Sequence, residues 1–226
     1  AEPAIFKPKT WNIDYLSANA FLQIPGLDVE VDSSLLTRLV ESEYSKLSFE
    51  LVAAGASDSD PRVEVAKRDL TLEMLPRNQW GGLAHIPEMT AAFVQPNDPA
   101  IETLLKKACE LLAKAGKSSS LDGYTSGSEH AWEIMSAIWN AVLSMGLDYT
   151  LPPASFELNG QKVRSPSHIA ATGLATCMDT TMLFCAALEQ AGLNPMAIFT
   201  EGHAFAGVWL KNEEFTTATV TDITAL

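Results

Sequence analysis

Three residues in the last quarter of the sequence have the types and the order that nucleophilic catalysis requires: Cys177, His203 and Asp222. A cysteine thiolate attacks a carbonyl carbon, a histidine accepts the thiol proton, and a carboxylate orients the imidazole. These residues are therefore a candidate catalytic triad, provided that the fold brings them together.

Cys177 is expected at the beginning of a helix. The apolar segment GLATCMDTTMLFCAALEQAGL, residues 173–193, predicts a buried helix from about Thr176 that ends before Gly192. The first turn of a helix has unpaired backbone N–H groups, which stabilise a thiolate and bind the oxyanion formed after attack on a carbonyl. Cys185 lies two turns deeper among apolar residues, so we expect it to be a packing residue.

His203 and Asp222 are expected on a hairpin. EGHAFAGVWL and FTTATVTD resemble strands, and the polar residues 211–214 separate them. A loop at this position places Leu210 opposite Phe215. The same register places His203 opposite Asp222, with Cβ atoms about 4.5–5.5 Å apart. Helix and hairpin together predict a Cys–His–Asp triad.

Other polar residues have weaker claims to a role in the site. His130 and Glu133 lie three positions apart but lack the second histidine of a zinc motif, so they are expected to be polar residues of a helix start. Tyr124 and Gln161 are candidates for a second oxyanion donor. Asp179 is expected to support the first turn of the cysteine helix through the helix dipole. No metal and no cofactor is predicted.

Composition limits the possible functions. The 226 residues are 47% hydrophobic, enough for a core, and their net charge of −13 disfavours direct nucleic-acid binding. No apolar run approaches the roughly 20 residues that span a bilayer, so no membrane association is predicted. Three cysteines without a C-x-x-C motif fit neither a disulfide framework nor a zinc ribbon, which favours reduced thiols in a cytoplasmic protein. The missing initiator Met and the abrupt last residues suggest a piece of a longer protein.

The chain divides by pattern into a β-rich and a mixed part. Residues 1–80 contain three strand-like runs (LDVEV, KLSFELVAAG and VEVAKRDLTLEML) and a helix of two or three turns in DSSLLTRLVESE. We interpret this part as an incomplete β-sandwich-like module. QWGG, residues 79–82, is the predicted boundary.

Residues 83–226 predict an α+β domain, because helices come first and an antiparallel sheet follows. One helix has Asp98 as its N-cap, and another opens with a capping box between Ser126 and Glu129. A hairpin is predicted around the turn at residues 159–160. The cysteine helix and the strand of the histidine follow.

The order and spacing of these motifs resemble the transglutaminase-like cysteine enzyme superfamily, which has a papain-like architecture. The residues that carry the resemblance are Gly173, Cys177, Asp179, the helix ending in GLNP, Gly202, His203, Phe205 and Asp222. The resemblance covers roughly residues 120–226 and implies a helix carrying the cysteine, packed on an antiparallel sheet carrying the histidine and the aspartate. Two features depart from the family: Phe205 stands where many members have Trp, and the gap before Asp222 is longer.

A closer resemblance is carried by AAFVQPNDPAI, LPPASFELNGQKVRSPS and the segment from ATCMDTT to AGVWL. These stretches are similar to the transglutaminase-like domain of large bacterial superfamily-one helicase-like proteins. The resemblance implies that the parent protein handles nucleic acid, while this acidic segment acts on a protein or peptide beside the parent's other domains, with phage defence as one setting.

Three functions remain open from the sequence. The first is a cysteine hydrolase or acyltransferase, protease-like or transglutaminase-like, that acts on an amide. The second is a catalytically idle relative that serves as a protein-interaction scaffold. The third is an unrelated α+β domain in which Cys177 and His203 occur by coincidence.

Overall fold

The computed structural model describes residues 5–24, 26, 28–53, 62–84, 86–155 and 159–221. Within these residues the chain forms five α-helices, one 3-10 helix and four two-stranded sheets. The predicted α+β class is confirmed. The chain divides into two compact units, Ala1–Arg77 and Asn78–Leu226.

The first unit contains a long antiparallel hairpin. Strand β1 (Glu43–Ala53) pairs with β2 (Val63–Met74), and Leu47 lies opposite Leu70. Leu47, Phe49 and Leu51 of β1 alternate with polar residues, and this period of two is what a strand with two different faces requires. The two long strands predicted here are confirmed.

Two other predictions for the first unit are wrong. The expected helix of two or three turns is the single turn α1 (Ser33–Leu36), whose N-cap Asp32 accepts a hydrogen bond of 2.9 Å from a backbone N–H of that turn. No residue of α1 is buried, so no packing supports a longer helix. The strand expected at residues 27–31 is reduced, among its described residues, to one isolated bridge between Phe6 and Val31.

Three helices build the core of the second unit: α2 (Pro99–Lys114), α3 (Gly127–Leu143) and α5 (Cys177–Gln190). A shorter helix, α4 (Pro166–Thr172), packs beside α2. As predicted, Asp98 caps α2, and its carboxylate accepts a hydrogen bond of 2.9 Å from a first-turn N–H. The buried apolar residues of the three long helices include Ile101, Leu105, Ile134, Ile138, Leu183 and Leu188.

The start of α3 differs from the prediction. Ser126 is the N-cap residue, but its hydroxyl caps no backbone N–H and instead donates to a carboxylate oxygen of Asp122 at 3.0 Å. The backbone of Ser126 (φ −94°, ψ 12°) is not in the extended conformation that a capping side chain needs. The predicted capping box between Ser126 and Glu129 is therefore wrong, although the helix itself is confirmed.

Short strands connect these helices. Strand β3 (Gln79–Trp80) pairs with β5 (Gln161–Lys162) and is followed by the 3-10 helix Pro87–Phe93. Strand β4 (Asp148–Tyr149) runs parallel to β6 (Leu174–Ala175), which leads directly into α5.

The hairpin predicted around residues 159–160 contributes β5, whose described partner is β3. Residues 156–158 lie outside the described residues. Gly160 has φ 79°, and a Cβ there would lie 1.8 Å from the carbonyl oxygen of Trp80. Only glycine therefore permits this close approach of the backbone to β3.

The last hairpin of the unit packs on α5. Strand β7 (Pro195–Thr200) pairs antiparallel with β8 (His203–Val208). Ala204 is buried on β8, and it belongs to the same apolar cluster as Met178 and Met182 of α5. This contact joins the helix of the candidate nucleophile to the strand of the candidate base.

The partner of β8 differs from the prediction. His203 lies opposite Thr200 on β7, and the described residues 209–221 form no strand, so the predicted pairing of Leu210 with Phe215 is wrong. Gly202, with φ 72°, completes a two-residue turn that pairs β8 with the strand before it. Asp222, the predicted partner of His203, lies outside the described residues.

Candidate functional site

Cys177 is the first residue of α5, and a capping box fixes the backbone around it. The Thr176 hydroxyl accepts a hydrogen bond of 3.0 Å from the N–H of Asp179, and the Asp179 carboxylate accepts one of 2.9 Å from the N–H of Thr176. Cys177 is partly exposed. The prediction that it lies in the first turn of the helix is confirmed.

Asp179 is also one half of a buried ion pair. Its carboxylate accepts hydrogen bonds from the backbone N–H and from Nη1 of Arg164, each at 2.7 Å. The Asp179 side chain is fully buried and that of Arg164 is 9% exposed. A buried carboxylate needs such donors, because an unpaired charge in the interior is strongly unfavourable. The sequence predicted a role for Asp179 in this turn, but nothing local identified Arg164 as its partner.

Backbone donors are available beside the sulfur. In the part of the chain that the structure describes, the N–H groups of Cys177 and Met178 donate to no protein acceptor. Unpaired N–H groups of this kind are what an oxyanion would bind.

The second cysteine of α5 has a different environment. Burial raises the pKa of the Cys185 thiol to about 12, and the nearby negative charge of Glu189 adds to the shift. Cys185 is thus held as a neutral thiol at ordinary pH, in agreement with its expected role in packing.

His203 is exposed at the start of β8. Its ring lies 6.3 Å from that of Phe205 on the same face of the strand, whereas the intervening Ala204 is buried against α5. Within the described residues, the imidazole has no hydrogen bond to the sulfur of Cys177 and no ion pair with a carboxylate. The structure therefore packs the elements of Cys177 and His203 together, without a hydrogen bond between the two side chains.

The two candidates for a second oxyanion donor lie in different places. The Gln161 side-chain amide donates to the Thr176 hydroxyl at 3.4 Å, which places it next to Cys177. The Tyr124 hydroxyl donates to the carbonyl of Trp209 at 2.8 Å and accepts a hydrogen bond of 2.9 Å from the N–H of Asn194.

Asn194 lies beyond the C-terminal end of α5. A helix of 14 residues is about 20 Å long, so the Tyr124 hydroxyl lies at the opposite end of the helix from Cys177. Tyr124 is therefore excluded as an oxyanion donor, whereas the position of Gln161 is compatible with that role.

His130 and Glu133 are not merely polar residues at a helix start. His130 is buried, its Nδ1 lies 3.1 Å from Glu133 Oε2, and its Nε2 lies 2.9 Å from the carbonyl of Ser120.

The described residues contain no group of three or more His, Cys, Asp or Glu side chains arranged to hold a metal ion. No helix in the same residues is long and apolar enough to cross a membrane.

Comparison of the chain with protein-family models, with curated proteins and with solved structures found no match in any of the three.

Proposed function

We propose that the second unit is a cysteine enzyme with a transglutaminase-like fold, in which Cys177 attacks the amide carbonyl of a protein or peptide. One observation carries the proposal: Cys177 is a partly exposed residue in a helix turn whose backbone is fixed by Thr176, Asp179 and Arg164. Such a turn holds the sulfur beside unpaired N–H groups, so nucleophile and oxyanion donors are organised before substrate arrives.

The proposed chemistry is acyl transfer through sulfur. Cys177 Sγ forms a bond to the carbonyl carbon while His203 accepts the thiol proton. His203 then donates this proton to the leaving amine as the C–N bond breaks, which gives a thioester. Water releases the acyl group in hydrolysis, and a second amine releases it in transfer. The role of Asp222 in orienting His203 rests on the resemblance alone, because the hairpin register that placed it opposite His203 is wrong.

The packing of β8 on α5 supports His203 as the base. Met178 follows Cys177, Ala204 follows His203, and these two neighbours share one apolar cluster. His203 lies on the other face of β8 from Ala204, so the shared cluster brings strand and helix together without placing the imidazole at the sulfur. Catalytic hydrogen bonds often form only when substrate binds.

The wider setting belongs to the same proposal. On the resemblance, the second unit is a domain of a large bacterial helicase-like protein, located in the cytoplasm and active in phage defence, with a protein or peptide substrate. The first unit is then a β-rich, sandwich-like module, whose described residues include the β1–β2 hairpin.

A second candidate function is an idle scaffold with the same fold. It is favoured by the exposed position of His203, which has no hydrogen bond to Cys177 and no carboxylate partner among the described residues. In this case the domain would bind partner proteins or other domains of the parent chain without chemistry.

Acylation by an activated ester separates the two functions. The protein is incubated with p-nitrophenyl acetate at pH 7, and peptide mass mapping locates the acetyl thioester. If the domain is an enzyme, the reagent acetylates Cys177. The H203A substitution should then slow this step by about 100-fold or more, because a general base contributes roughly 10²–10⁴-fold. The H203A rate should recover at alkaline pH, where hydroxide replaces the base.

Two matched variants complete the experiment. C177A should abolish the adduct, and C109A should leave it unchanged, because Cys109 lies in the middle of α2 rather than at a helix start. Equal acylation rates of the wild-type protein and H203A across the pH range would contradict the proposed enzyme activity and would favour the scaffold function.

A further inference from the structure

His130 is a buried histidine whose two ring nitrogens both face hydrogen-bond acceptors. It lies in the first turn of α3 and is 5% exposed. Nε2 lies 2.9 Å from the carbonyl oxygen of Ser120 and 3.6 Å from Oδ1 of Asp122. Nδ1 lies 3.1 Å from Oε2 of Glu133. A carbonyl oxygen only accepts, so Nε2 must carry a proton.

The other nitrogen must carry a proton as well. The ammonium of Lys117 lies 2.6 Å from Oε1 of Glu133. This hydrogen bond, and the one from His130, hold the pKa of Glu133 below its usual value. Glu133 is therefore an anion and can only accept from Nδ1. A neutral imidazole has one N–H and cannot satisfy both contacts, whereas the imidazolium has two. The geometry fits the positively charged form of His130.

The loop that His130 holds also contacts the far end of α5. The loop comprises residues 117–126 between α2 and α3 and includes both Ser120 and Asp122. Next to Asp122, Gly123 approaches Gly192 so closely that a Cβ on Gly123 would lie 2.4 Å from the Gly192 carbonyl oxygen.

Tyr124, the next residue of the loop, forms hydrogen bonds at the open end of the β7–β8 hairpin. The Tyr124 hydroxyl accepts from the N–H of Asn194, which precedes β7, and donates to the carbonyl of Trp209, which follows β8. Asn194 and Trp209 also bond directly, Trp209 N–H to Asn194 carbonyl at 3.1 Å. The loop thus connects His130 to the hairpin that carries His203 at its other end.

We propose that His130 is a pH-sensitive latch. Its protonated form binds the loop of residues 117–126 to α3 and, through Tyr124, fixes the open end of the β7–β8 hairpin. Loss of the proton leaves one N–H for two acceptors, Ser120 on the loop and Glu133 on α3, and in either tautomer the ring loses its charge attraction to Asp122 of the loop. This weakens the attachment of the loop to α3 and loosens the hairpin. The latch operates whether or not Cys177 is a nucleophile.

The charges around His130 determine the direction of the effect. The hydrogen bond to Glu133 raises the pKa of His130 above 6.5, against an opposing effect of burial, and the Ser120 carbonyl and the negative charges of Asp122 and Glu133 add to the rise. Lys117 is the facing cation, and its own pKa is raised by Glu133, so it stays charged in the range where His130 titrates.

A raised pKa in the folded state stabilises the closed latch fully below the unfolded value of about 6.5. This stabilisation is lost as the pH rises through the folded value. Opening is therefore expected as the pH rises above 6.5 and through the folded value, while acid down to the range of the carboxylates leaves the latch closed.

The protonation state is tested directly by NMR of the wild-type protein with 15N-labelled histidine. At pH 6 both ring nitrogens of His130 should show imidazolium shifts, with midpoint above 6.5; H130Q assigns the signal by removing it. A single N–H tautomer at pH 6, or a midpoint at or below 6.5, would overturn the proposal. If H130Q does not fold, H85N, H168N and H203N assign the signals of the other three histidines, and the remaining signal is that of His130.

The coupling to the hairpin is tested by hydrogen exchange of the Trp209 amide, expressed as a protection factor between pH 6.5 and 8.5. Protection in the wild-type protein should fall about tenfold for each unit by which the His130 midpoint exceeds 6.5. In Y124F, the His130 titration should persist while Trp209 protection no longer follows it. Trp209 protection that is constant in the wild-type protein, or that follows the titration equally in Y124F, would refute the latch.

Discussion

The Asp179 carboxylate binds both the backbone N–H and the guanidinium of Arg164, each at 2.7 Å, in a fully buried position. Asp179→Asn removes the negative charge and leaves the guanidinium unpaired. We expect the free energy of unfolding to fall by about 3–5 kcal/mol, as for other buried pairs that lose one partner. Urea denaturation measures the change.

Glu110→Gln is the matched control for Asp179→Asn. Glu110 and Lys107 form an exposed pair at 4.0 Å on α2, and such pairs contribute about 0.2–1 kcal/mol at most. Similar losses in the two variants would show that the buried pair does not hold the start of α5.

The capping box at Thr176 gives a second prediction. Thr176→Val keeps the shape of the side chain but removes the oxygen that accepts from the Asp179 N–H at 3.0 Å. The variant should lose about 1 kcal/mol of stability, whereas Thr176→Ser should retain nearly all of it. Thermal denaturation monitored by circular dichroism distinguishes the two, and equal melting temperatures would contradict the capping role.

The three cysteines should differ in alkylation by iodoacetamide. At pH 7, a thiol with a pKa of about 12 is ionised in roughly one molecule in 10⁵, and Cys185 is also buried. Cys177 should react first, because it alone lies in a helix first turn. Cys109 lies in the middle of α2, where the N–H groups bond within the helix. Peptide mass mapping after brief labelling gives the order, and labelling of Cys177 only after denaturation would refute the nucleophile.

Two glycines with similar backbone angles make a matched pair. Gly123 (φ 60°) and Gly116 (φ 71°) are both left-handed, but a Cβ on Gly116 meets nothing within 4 Å, whereas one on Gly123 meets Gly192. Gly116→Ala should cost about 1–2 kcal/mol from backbone conformation alone. Gly123→Ala should cost clearly more, because backbone must also move. Urea denaturation of both variants measures the difference. Equal losses in the free energy of unfolding would show that the loop does not pack tightly against the end of α5.

Features encoded by neighbouring residues were predictable from the sequence. The helix α5 was predicted to begin at about Thr176 and to end before Gly192, and it spans Cys177–Gln190. Both ends have local signals: Thr176 and Asp179 form a capping box, and Gly192, with φ 79°, lies two positions after Gln190. The cap of α2 by Asp98 followed from the same kind of local signal.

Features that depend on residues distant in the chain were not predictable from the sequence. The pairing of β8 required a choice between a two-residue turn at residues 201–202 and a four-residue loop at residues 211–214, and strand pattern alone favours neither. Arg164 was missed because any of the 15 basic residues could have neutralised Asp179. The roles of His130 and Tyr124 depend on a loop whose contacts are all tertiary.

The Tyr124 hydroxyl has a consequence for the order of folding. Tyr124 bonds to Asn194, 70 positions later in the chain, and to Trp209, 85 positions later. The local β7–β8 hairpin has already brought Asn194 and Trp209 together. One closure of the long chain segment therefore completes both hydrogen bonds, at the entropic cost of a single loop. We expect this closure to follow hairpin formation and to occur after the main folding barrier. In stopped-flow experiments Tyr124→Phe should then accelerate unfolding while leaving the refolding rate nearly unchanged.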